Sequence, residues 1–187
     1  TMAKTFAWAL GLPVYKVSTL EALALSGWEE AKNAESNLPG SLWIVPALDA
    51  RRGQAYAALF STEGTDGNPG PLRRLSDDEV VSFQNQLETW VRDDGCPGTV
   101  LIVGEVDGKL SGLIEAVAGE NPDVTVIRRS SPVKARSVAV LARHYGINAL
   151  EVDARDLSPN YAQPAEAEVK WRAAAEAREK ERELERG

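Results

Sequence analysis

Residues 41–60, "SLWIVPALDARRGQAYAALF", hold two apolar runs on either side of a polar corner. Two such runs joined by "RRG" predict a β-hairpin. Pro46 has no amide proton to give to a ladder, so part of the first strand is expected at an edge or a bulge. The corner itself carries Asp49, Arg51, Arg52 and Gly53. Those residue types suit a catalytic or phosphate-binding corner, and they suit a solvated turn equally well.

Downstream, "STEGTDGNPGP" (61–71) reads as a loop and "LRRLS" (72–76) as a third strand of the meander. "SDDEVVSFQNQLETWV" (76–91) predicts a helix, with Ser76 and Glu79 as a capping box, Asp77 and Asp78 at its positive end, and Val80, Phe83, Leu87, Trp90 and Val91 as the apolar stripe. "TVLIVGE" (99–105) is continuously apolar and β-branched, as a strand buried on both faces is. "GKLSGLIEAVAG" (108–119) predicts a helix, and "DVTVIR" (123–128) a strand. "SPVKARSVAVLARHYGI" (131–147) predicts a helix, with Ser131 as its cap, Pro132 at its first position and Gly146 past its end. The order is β-β-β-α-β-α-β-α, three antiparallel strands feeding a parallel crossover unit. The expected class is therefore α/β with a mixed sheet and the ribonuclease-H-like topology.

The front of the chain reads differently. "TMAKTFAWALGL" (1–12) begins at once with helical periodicity at Met2, Phe6, Ala9 and Leu10, without a cap, and stops at Gly11 and Pro13. It has the character of a chain cut in mid-helix. "PVYKVS" (13–18) predicts a short strand, and Ser18 with Glu21 a capping box that opens the helix "TLEALALSG" (19–27). The expected organisation is a helix-strand-helix unit over 1–31, a linker over 32–40, the α/β lobe over 41–156, and a tail over 157–187. In that tail, "LSPNYAQP" is expected to be extended and the highly charged remainder helical.

Composition narrows the function. The 187 residues are 43% hydrophobic and 26% charged, enough for a proper core. A net charge of -7 argues against a free-standing nucleic-acid binder, because phosphate neutralisation needs a basic surface. Any nucleic-acid role would need a basic partner. Cys96 is the single cysteine, so no internal disulfide can form. No run approaches the ~18 apolar residues of a membrane span, and a soluble, cytoplasmic protein is expected.

Candidate chemistry is sparse. His144, the single histidine, falls in the last turn of a helix and is expected to interact with free carbonyls there rather than to bind a metal. Cys96 has acidic neighbours that raise a thiol pKa. A two-metal nuclease on this fold would need converging acids, for which Asp49, Glu88 or Glu79, and Glu105 are the available set. Against it, Asp49 sits against the turn and Glu79 belongs to a cap. A phosphate cradle needs small residues, whereas "DARRG" offers one glycine and two bulky cations. The strand-to-helix turn "VGEVDG" (103–108) is a weaker candidate of the same kind.

Three stretches carry a family resemblance: "TMAKTFAWALGLPVYKVSTLEALA", "PALDARRGQAYAALF" and "LSPNYAQPAEAEVKW". Their order and spacing resemble the bacterial TsaB (YeaZ) family. The resemblance implies a two-lobed member of the actin-like ATPase superfamily, each lobe ribonuclease-H-like, also described as glycoprotease-like. It implies a non-catalytic scaffold that partners a TsaD-type catalytic subunit and a TsaE-type ATPase in threonylcarbamoyl transfer to adenosine 37 of tRNA. The tRNA would be met only through the complex. The chain would need no cofactor of its own, ATP being bound by the partner subunits, and no membrane. In the family the first lobe opens with strands and a "GPGSFTGLR"-like loop that do not precede Thr1 here, so residues 1–31 are expected to be the remnant of that lobe. The family's helical interface with TsaD, and with a second copy in a homodimer, then points to Met2, Lys4, Thr5 and Trp8. Asp49, Arg51, Arg52 and Gly53 become a family hairpin motif of unassigned role. The rival reading is a divergent actin-like nucleotide-binding ATPase or a ribonuclease-H-like metal-dependent nuclease.

Overall fold

The computed structural model describes residues 2–35, 37–62, 72–145, 151–153 and 155–158. The hairpin expected at 41–60 is its centre. Strand β2 (Leu42–Arg51) turns into β3 (Gln54–Ala57), and after Ala58 and Leu59 the chain continues as β4 (Phe60–Thr62). Ala47 faces Ala57 and Ile44 faces Phe60 in one unbroken register, so β3 and β4 are two halves of one antiparallel partner of β2. Interruption falls opposite Pro46, which cannot donate to the ladder.

The third row is broken at the same level. Strand β5 (Leu72–Arg74) pairs with β4, and β6 (Glu79–Ser82) pairs with β3. Between them the chain bulges: the amides of Leu75 and Ser76 both donate to the Leu59 carbonyl, at 2.8 and 3.2 Å. The Leu59 amide in turn donates to Ser76 Oγ at 2.8 Å. This corrects the capping box expected at Ser76 and Glu79. Helix α3 runs only over Phe83–Val91, and Val80 and Val81 sit in a strand, because the ladder offered by β3 outcompetes the helical pattern for two β-branched residues.

On the other side of β2, β7 (Thr99–Gly104) runs parallel to it, and β8 (Thr125–Ser130) runs parallel to β7. The rows therefore run β8, β7, β2, then β3 with β4, then β6 with β5. This is the ribonuclease-H-like order that the sequence predicts.

Period-two alternation splits the core between the two faces of the sheet. Trp43, Val45, Val100 and Ile102 point to one side, where they meet Phe83 and Leu87 of α3 and Leu110 and Ile114 of α4 (Lys109–Glu120). Leu42, Ile44, Leu101 and Val103 point to the other, against Leu20, Leu23, Ala24 and Trp28 of α2 (Thr19–Ala34). Helix α2 continues three residues past Ala31, so the linker expected from residue 32 starts only after Ala34. Its buried face lies on the sheet of the α/β lobe rather than on the segment before it.

Helix α5 (Ala135–His144) starts later than the expected Ser131 cap. Pro132 disfavours the helical region at Ser131, and the Lys134 amide is drawn to Ser26 Oγ on α2 at 3.2 Å, which holds the lead-in extended. Gly146, expected past its end, lies outside the described residues. At the front, α1 (Met2–Leu10) and β1 (Val14–Tyr15) form as expected. Strand β9 (Glu151–Val152) pairs antiparallel with β1, a pairing too short to leave a periodic signal in the sequence. Of the tail expected over 157–187, everything past Ser158 lies outside the described residues.

Candidate interaction sites at the hairpin corner and the first helix

At the hairpin corner, Asp49 pairs with Ala55 and Arg51 with Gln54, so Ala50 is an extra residue, a bulge in β2. Three consecutive residues then take positive φ: Arg51 at 68°, Arg52 at 54° and Gly53 at 77°. Glycine does so freely, whereas each arginine pays about 1–2 kcal/mol for the left-handed region. Asp49 offsets part of that cost, its Oδ1 accepting the Arg51 amide at 2.7 Å. The Asp49 amide donates to Glu105 Oε2 at 2.8 Å, and the Glu105 amide donates to the Ala47 carbonyl at 2.9 Å. Glu105 thus extends the β2–β7 pairing with its side chain, and the corner presents exposed arginines on a backbone held from both sides.

Of the acids weighed for a nuclease, Glu105 reaches Asp49 only at its backbone amide, while the Asp49 carboxylate turns to the Arg51 amide. The other candidates lie elsewhere. Glu79 lies exposed on β6, the row beyond β3, and Glu88 on α3 accepts from Gln84 Nε2 at 3.0 Å. Among the described residues no group of three or more histidine, cysteine or acidic side chains is placed to hold a metal ion. The turn "VGEVDG" is also no cradle at its first glycine. Gly104 has φ 114°, and a Cβ there would stand 2.4 Å from the Ala47 carbonyl and 2.8 Å from Leu23 Cδ2, so the space beside it is filled by the protein itself.

His144 lies in the last turn of α5 as expected, its ring edge-on to Tyr145 at 5.4 Å. Burial is the first cause that pushes the Cys96 thiol up, with Asp93 adding to it and a backbone hydrogen bond opposing. No helix among the described residues is long and apolar enough to cross a membrane.

Helix α1 has an unusual surface. Its buried residue is Ala7, while Met2 (72% exposed), Phe6 (61%) and Trp8 (74%) stand in solvent together with Leu10 and Leu12. Large apolar side chains exposed in this number around one nine-residue helix leave much apolar area in water. Of the residues the family resemblance points to, Met2, Thr5 and Trp8 are exposed on α1. Lys4 is half-buried and turns back, its Nζ donating to the Arg155 carbonyl at 2.8 Å.

Sequence reasoning overlooked a third polar cluster. Ser18 Oγ caps α2, accepting the Glu21 amide at 3.1 Å as expected, and donates to Asp78 Oδ2 at 2.7 Å. Glu21 does not complete the capping box. Its carboxylate, 6% exposed, takes Arg74 Nη2 at 3.3 Å and the Tyr145 hydroxyl instead. Arg74 also reaches Asp78 Oδ1 at 2.6 Å and lies over the Phe60 ring. "S-x-x-E" looked like a complete cap, and only the fold brings Arg74 and Tyr145 to it.

The sheet order and the two-faced core define an actin-like, ribonuclease-H-like α/β lobe. A family model described as TsaD: tRNA N6-adenosine threonylcarbamoyltransferase, of that same superfamily, matches residues 1–83. The tRNA threonylcarbamoyladenosine biosynthesis protein TsaB of Bacillus subtilis (strain 168) is 32% identical over 171 residues, 91% of this chain. The chain is similar to that protein over most of its own length, and it spans 65% of that relative's length.

Proposed function

We propose that this protein acts in tRNA threonylcarbamoyladenosine biosynthesis as a non-catalytic scaffold subunit that pairs with a TsaD-type catalytic subunit. The observation that carries the reading is the 32% identity to a TsaB across 91% of the chain. In this reading the part of residues 1–31 ahead of α2 is the remnant of a first lobe, α2 itself packing on the sheet, and the exposed side of α1, with Met2, Thr5 and Trp8, is the partner surface. Lys4 supports that face through its bond to Arg155. Homodimerisation would use the same face. A TsaE-type ATPase joins the complex, tRNA is met through the complex, and ATP is bound by the partner subunits. The strained arginines of the hairpin corner supply a polar contact to a partner.

The test is co-expression of the tagged chain with a TsaD-type subunit. Co-purification that is lost on Trp8→Asp, with unchanged circular dichroism, is the expected result. Failure of the parent chain to retain the subunit would overturn the partnership. Calorimetric titration with ATP and Mg²⁺ separates the rival, since saturable nucleotide binding with turnover by the purified chain belongs to an ATPase.

A further inference from the structure

The hairpin corner carries two arginines where the backbone disfavours any side chain. Arg51 and Arg52 hold φ of 68° and 54°, and glycine stands only at the last of the three left-handed positions. Three bonds keep the backbone in this state: Asp49 Oδ1 takes the Arg51 amide, Glu105 Oε2 takes the Asp49 amide, and the Gly53 carbonyl accepts the amide of the buried Phe83 at 3.1 Å. The turn is thus tied to the end of β7 and to the start of α3, while both arginines are exposed. Both acids at the corner are engaged by backbone amides, and among the described residues the Arg51 guanidinium makes no ion pair. Elsewhere on this acidic chain exposed arginines do find carboxylates, Arg92 at Glu120 and Arg128 at Glu115. A side chain kept at a cost to the backbone, and given no partner within the fold, points to a use outside it.

We propose, resting on the reading above of this chain as a scaffold subunit, that Arg51 is a docking anchor for a carboxylate of the TsaD-type subunit, with Arg52 beside it adding positive charge. A guanidinium presents its donors as a planar fork that matches the two oxygens of a carboxylate. Phosphate suits the fork as well, but a polyanion would meet Asp49 and Glu105 at the same corner and a net charge of -7 beyond it. A single carboxylate avoids most of that repulsion. The fixed backbone lowers the ordering cost of the contact, since only the side chain is left to immobilise. This anchor lies on the α/β lobe and is separate from the apolar side chains of α1.

The test is calorimetric titration of the purified chain with a TsaD-type subunit at about 50 and 300 mM NaCl. Arg51→Asn is expected to weaken binding about tenfold at the lower salt and to flatten the salt dependence, while its thermal midpoint does not fall. Arg51→Lys, which keeps a charge without the fork, should lie between that variant and the parent. Arg143→Asn, at an exposed arginine in the last turn of α5, should match the parent. Equal affinity for Arg51→Asn and the parent, or a lowered midpoint in Arg51→Asn, would overturn the anchor and leave the pairing through α1 standing. A parent chain that does not bind the subunit removes the pairing and the anchor together. If Arg51→Asn instead lowers binding of unmodified tRNA by the chain alone, the anion is a phosphate and the carboxylate assignment falls.

Discussion

Gly27 on α2 lies so close to Val103 on β7 that a Cβ on the glycine would stand 2.3 Å from Val103 Cγ1. No side chain fits between the helix and the sheet at this point, and the close approach lets Leu23, Ala24 and Trp28 reach the core on that face.

Gly27→Ala is therefore expected to destabilise the fold by about 1–3 kcal/mol through overpacking, although alanine is the better helix former. Urea unfolding of the variant measures the loss. Adding Val103→Ala should recover part of it, and a double variant that is simply the sum of its singles would contradict the contact.

Gly104→Ala should cost more. Its Cβ would meet the Ala47 carbonyl, which belongs to backbone and cannot swing away, and φ of 114° is unsuited to any side chain. The expected loss is roughly 3 kcal/mol or more, read from the same unfolding curves. Equal midpoints for Gly104→Ala and Gly27→Ala would count against this account.

At the hairpin corner the expected change has the opposite sign. Arg51 holds φ 68° without the conformational freedom of glycine. Asparagine tolerates that region better, and Arg51→Asn keeps the amide that Asp49 accepts, so stability should rise by about 0.5–1 kcal/mol. If thermal unfolding instead shows a loss, the Arg51 side chain contributes to the fold and is not reserved for a partner.

Tyr145 gives a pH signature. Although the side chain as a whole is 41% exposed, loss of water at its hydroxyl first, and then the hydrogen bond to Glu21, push that hydroxyl from an ordinary 10.0 up to about 12. Because the folded value is raised, the stability tied to this group is fully present below the unfolded value near 10.0 and is lost as pH rises through about 12. Ultraviolet titration should show a late step that vanishes in Tyr145→Phe and moves down in Glu21→Gln. Absence of a late step would exclude this environment for the Tyr145 hydroxyl.

How much of this was legible in advance differs element by element. The "TVLIVGE" strand and the Phe83, Leu87 and Val91 stripe of α3 were readable because burial on both faces, or along one face, writes a continuous or periodic apolar pattern. The start of α3 was not. "SDDE" satisfies the local rules for a cap, and only the vacant edge of β3 made Glu79–Ser82 a strand. Arg51, Arg52 and Asp49 were visible as a corner, but nothing in their types announces two arginines at positive φ.

By itself the sequence determined the hairpin, the strand over 99–104 buried on both faces and the run of antiparallel strands feeding a parallel crossover, since these rest on local propensity and on the hydrophobic period. Tertiary structure alone decided where Glu21 spends its carboxylate, that the Glu105 carboxylate reaches the Asp49 amide, and that the Lys134 amide turns to Ser26. Each of those joins groups far apart along the chain, and a hydrogen bond or a buried charge between such groups leaves no period in the sequence from which to read it.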